Sequence, residues 1–124
     1  MKNFSYYLKV LIFVFVVVSV FTALDVLTHS LNDLFSVPEY YFPHKILFST
    51  GMGFLIYLFT TRMKPFTRAL LFSGIIAVVL QTGYFFRGYP KWFVFLFLGL
   101  HFIMLLPSAW LGFKISDRYK IIKN

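Results

Sequence analysis

The residues in this 124-residue chain that could do acid–base or metal chemistry are few and gathered. Three of its four carboxylates, Asp25, Asp33 and Glu39, and two of its three histidines, His29 and His44, fall between positions 25 and 44. Asp25 and His29 are four apart, so on a helix both project from one face. A carboxylate beside an imidazole can begin a divalent metal site or a proton relay. His44 and Glu39 can approach that pair across the intervening loop. Asp25, His29 and His44 are therefore the expected ligands, with Glu39 a further oxygen donor, if the protein holds zinc, copper, manganese or iron. The plainer expectation is a solvated polar face with no cofactor.

His101 stands apart, inside a long apolar run near the middle of a predicted membrane span. A polar side chain at that depth faces the bundle interior or water. It could ligate haem, carry a proton or hydrogen-bond a quinone; the simpler expectation is a neutral imidazole bonded to Ser49, Thr50 or Ser73 on a neighbouring helix. A lone histidine does not support bis-histidine haem, and His29 and His44 lie too near the surface to supply the second ligand. The chain has no cysteine, which excludes disulfides, thiolate metal sites and thiol catalysis. No phosphate-binding glycine loop, nucleophile elbow or HExxH pattern occurs.

The elements that must position these residues follow from composition. At 60% hydrophobic residues the chain exceeds what a soluble domain of this size can bury, so lipid is the fitting solvent. Apolar runs predict spans at about residues 6–27, 43–61, 66–86 and 91–113, each near the ~20 residues that cross a bilayer core. The fold class is all-α: a polytopic, four-transmembrane-helix antiparallel bundle forming one transmembrane domain, with an interfacial segment at 28–42 and a basic tail at 114–124. The first run is read as a span rather than a cleaved signal, because Phe21 occupies the small-residue position of the best cleavage point. The apolar stripe Leu24, Leu27, Leu31, Leu34 and Phe35 predicts that the first helix continues to Pro38.

Ser49 and Gly53, four apart, and Ser73 and Ala77 are expected to let helix backbones approach closely. Nine Lys and Arg residues fall on the side of both termini and the second loop (Arg62, Lys64 and Arg68), against three (Lys45, Arg87 and Lys91) on the other. By the positive-inside rule the N- and C-termini are cytoplasmic, in an inner-type cytoplasmic membrane. The Asp25–His44 stretch then meets Gln81, Tyr84 and Arg87 at the outer end. The net charge of +8 is thus assigned to topology and not to nucleic acid. The expected partners are the bilayer and other membrane subunits or a second copy. The expected function is a non-catalytic accessory or structural subunit of a larger membrane complex. The alternatives are a small homodimeric transporter or lipid flippase, and a metal-binding or redox subunit using Asp25, His29 and His44.

Overall fold

A computed structural model describes residues 2–122. It contains four long helices, α1 (Phe4–Ser30), α2 (Tyr41–Phe59), α3 (Pro65–Phe86) and α4 (Lys91–Arg118), and a 3-10 turn at Asp33–Phe35. No strand occurs among the described residues. Helices α1, α3 and α4 are long and apolar enough to cross a membrane. Helix α2 falls short of that hydropathy because Pro43, His44 and Lys45 occupy its first turns.

Local chemistry sets the ends. The Asn3 side chain accepts from the Tyr6 N–H at 3.0 Å and starts α1. Pro65 opens α3 at a position where its missing N–H costs nothing. Gly88, at φ +82°, makes the turn between α3 and α4 that a side chain would resist. The first helix does not continue to Pro38. It stops at Ser30, Asn32 is extended, and the Asn32 side chain accepts from the Leu34 N–H at 2.9 Å. This local bond competes with the helix and wins, because the apolar residues beyond it, Leu31 and Leu34, are exposed and add no burial. Helix α4 runs unbroken past Pro107 into the basic tail, ending at Arg118.

Each helix turns a row of residues spaced by four toward the interior, the ridge that helices interlock through. The buried rows include Val10, Val14 and Val18 on α1; Tyr41, Lys45, Ser49 and Gly53 on α2; Ser73, Ala77 and Gln81 on α3; and Phe97, His101, Leu105, Ala109 and Phe113 on α4. Gly53 shows how closely they fit. A Cβ there would lie 2.8 Å from side-chain carbons of both Val14 and Phe72, so α1 and α3 converge on the bare backbone of α2. The opposite helix faces expose Leu11, Ile12, Phe15, Leu47, Ile103 and Leu111, a perimeter suited to hydrocarbon.

Candidate functional site: a polar knot joining four helices

Each helix carries one polar residue to the same point, on α1 from the row Val17, Phe21, Asp25 and His29 that adjoins Val10, Val14 and Val18. Asp25 comes from α1, Lys45 from α2, Gln81 from α3 and His101 from α4, and none is more than 3% exposed. The Lys45 ammonium donates to Asp25 Oδ2 and lies 3.0 Å from His101 Nε2. His101 Nε2 stands 2.9 Å from Asp25 Oδ1, and Gln81 Nε2 stands 2.7 Å from His101 Nδ1. The Asp25 and Gln81 distances are satisfied by a neutral imidazole that donates from Nε2 to the carboxylate and accepts at Nδ1 from the Gln81 amide, which leaves the Lys45 ammonium beside Nε2 as a second donor to Asp25 and not as a hydrogen-bond partner of the ring. One ammonium, one carboxylate and one neutral ring leave no net charge. That balance is what burial demands, since an unpaired ion in such surroundings is strongly destabilising.

Aromatic rings close the knot off. Phe21 lies edge-on to His101 at 5.5 Å and 4.8 Å beneath the Lys45 ammonium. Phe97 and Tyr84 cover His101 from other sides. One turn beyond Asp25, His29 stacks flat on Phe97 at 4.4 Å with 3° between the planes. Its Nδ1 meets the Phe35 carbonyl, and its Nε2 lies 3.4 Å from Asp25 Oδ2 without a hydrogen-bond partner. A cavity of about 280 Å³ between α2 and α3, lined by Tyr41, His44, Lys45 and Arg87 among others, reaches the knot at Lys45.

The residues singled out from sequence separate clearly. Asp25, His29, His101 and Gln81 come together, and Tyr84 is adjacent, stacked on Tyr41 at 4.9 Å. Arg87 is exposed and sits 5.4 Å above the Tyr41 ring. Glu39 and His44 are exposed and join nothing in the knot. Of the expected Asp25, His29 and His44 set, the structure brings Asp25 and His29 together with His101 and leaves His44 apart. His44 adjoins Lys45 on α2, and a helix turns about 100° per residue, so burying the Tyr41–Lys45–Ser49 row sends His44 outward. The expectation that Ser49, Thr50 or Ser73 would bond His101 is corrected. Those hydroxyls find no partner, because Asp25, Lys45 and Gln81 occupy every polar position on the ring.

The charge count groups Lys45 with the outer-side cations and passes over its place in the packed row. That lysine lies one turn before Ser49 and two before Gly53, and that spacing already placed it on the packing face. Arg68, on α3, is buried likewise: it is 3% exposed and sits against the adjacent Tyr57 and Phe113 rings at 4.4 and 4.5 Å, with Asp117 Oδ1 at 3.6 Å. No family model, curated protein or solved structure matches this chain.

Proposed function

We propose that this is a four-span integral membrane protein with both termini in the cytoplasm, acting as a non-catalytic accessory or structural subunit of a larger membrane assembly. The observation that carries the reading is the knot itself: one buried polar residue from each helix, bonded to the others rather than presented to a substrate. Ionisable residues within spans ordinarily mark a pathway or a site. Here Asp25, Lys45 and His101 satisfy one another, and the result is a tie that fixes the order and register of four helices. Polar groups in this role specify packing more than they add stability.

The same pairing supports α2 as the fourth span. Its one buried charge faces Asp25, so no ion is turned toward lipid. Asp25 in the last turns of α1 meets Lys45 in the first turns of α2, as an antiparallel pair requires. Sidedness rests on charge. With the buried Lys45 and Arg68 set aside, eight Lys and Arg residues remain on the terminal side against two on the other. His101 has no exposed surface, which favours a closed tie over the conduction path a transporter or flippase would need.

Mild-detergent extraction followed by native mass spectrometry tests the subunit reading. A stoichiometric partner chain of another kind is the expected result, whereas a second copy alone would favour the homodimeric transporter or flippase. A lone monomer from its native membrane, with nothing co-purifying, would overturn it.

A further inference from the structure

We propose that Asp25, His29 and His101 form a binding site for one first-row transition-metal dication of the zinc class, and that the Lys45 ammonium holds the same position when no metal is bound.

The motivating feature is His29. Its Nδ1 is engaged by the Phe35 carbonyl, so Nδ1 carries the proton and donates. Nε2 then carries the ring's lone pair, 3.4 Å from Asp25 Oδ2, on a residue that is 5% exposed and with no hydrogen-bond partner at that atom. Two acceptors this close in a buried site repel unless positive charge stands between or beside them. The Lys45 ammonium, bonded to that same oxygen, supplies it at the edge. A dication between the two atoms would supply it directly.

The donor set fits such an ion. One oxygen of Asp25 and one nitrogen each from His29 and His101 lie within 4.8 Å of one another. Ligands at ~2.1 Å around a tetrahedral ion stand ~3.4 Å apart, so side-chain adjustments of about an ångström close the set. Two imidazoles and one carboxylate are a donor set that zinc and ferrous iron both accept, leaving further positions open.

The groups behind the ligands are also those a metal site needs. Ligating histidines donate their other N–H to a carbonyl or carboxylate. His29 has the Phe35 carbonyl for this. For His101, Gln81 can serve both states. Its Nε2 donates to Nδ1 in the knot as described, and its buried Oε1 has no partner. A half-turn of the amide presents Oε1 to an Nδ1–H, the tautomer required once Nε2 binds metal. Lys45 has somewhere to go, because it lines the cavity between α2 and α3 with Tyr41 and His44. The tie between α1 and α4 survives the exchange of one cation for another, so the inference stands or falls separately from the subunit reading.

The test is titration of the chelator-treated, detergent-purified chain with Zn²⁺ alone by calorimetry, and with Cu²⁺ alone by electron paramagnetic resonance. One Zn²⁺ per chain is expected. Lys45→Met, which removes the competing charge, should bind at least tenfold tighter. His29→Gln should weaken binding at least tenfold, while His44→Ala and Glu39→Gln leave it unchanged. The copper spectrum of the wild-type chain should show coupling to two imidazole nitrogens, a readout that does not depend on any variant folding. Absence of stoichiometric binding in both wild type and Lys45→Met would overturn the proposal. So would a Lys45→Met chain that binds no tighter than wild type, binding that depends on His44 but not His29, or a copper signal without nitrogen coupling.

Discussion

Replacing Asp25 by Asn is the sharpest single perturbation of the knot. Asn keeps the shape and can still accept one hydrogen bond, but it leaves the Lys45 ammonium, whose side chain has no exposed surface, without a counter-charge. Ordinary interhelical hydrogen bonds between membrane helices contribute only ~0.6 kcal/mol, because the unfolded chain finds other partners. An orphaned buried ion is a different matter, costing about 3–5 kcal/mol. The low end, about 3 kcal/mol, is expected here, since the cavity beside Tyr41 and Arg87 gives the freed ammonium a direction in which to turn. Adding Lys45→Met to the same chain removes the orphan and should return stability to within about 1 kcal/mol of wild type, as replacement of whole buried ion pairs does. Trp92 and Trp110 provide a fluorescence signal for reversible unfolding in mixed micelles. A loss below about 1 kcal/mol in Asp25→Asn, or a double variant no better than the single one, would refute the reasoning.

Other outcomes are equally specific. Gly53→Ala should destabilise by about 1–3 kcal/mol through its clash with Val14 and Phe72; Gly51→Ala, with nothing within 4 Å, should be neutral or stabilising by up to about 1 kcal/mol in the same melts. Arg68→Ala should cost about 2 kcal/mol or more by removing a buried cation that packs against two adjacent rings. Asp117→Ala, whose side chain is 48% exposed, should cost less than about 1 kcal/mol. Because the chain is free of cysteine, Ser36→Cys and Tyr119→Cys report sidedness directly. An impermeant maleimide should label position 36 in intact cells and position 119 only after permeabilisation, and the reverse pattern would invert the topology.

The helical architecture was legible because apolar runs of span length leave few alternatives, and the buried rows because Ser49, Gly53, Ser73 and Ala77 mark where backbones approach. What escaped was the consequence of extending those rows. One turn before Ser49 is Lys45, and one turn after Ala77 is Gln81. A lysine near a helix end ordinarily reaches for water, and only tertiary pairing with Asp25 reverses that preference for Lys45. Asp25 and His29 were recognisable as one face from their spacing. That His101 would be their partner was not, since it depends on how far α4 slides past α1, and sequence periodicity carries no information about sliding. The end of α1 differs for a local reason: the Asn32 side chain outcompetes a stripe whose Leu31 and Leu34 stay exposed, and the turn that follows brings Phe35 onto Phe97.

The pairing at the centre of the knot can be read directly in a bilayer by solid-state NMR, measuring dipolar contact between ¹⁵Nζ-lysine and ¹³Cγ-aspartate. A single lysine–aspartate contact within about 4 Å is predicted, and it should vanish in Asp25→Asn. No contact in the wild-type protein, or one that persists without the Asp25 carboxylate, would contradict the knot.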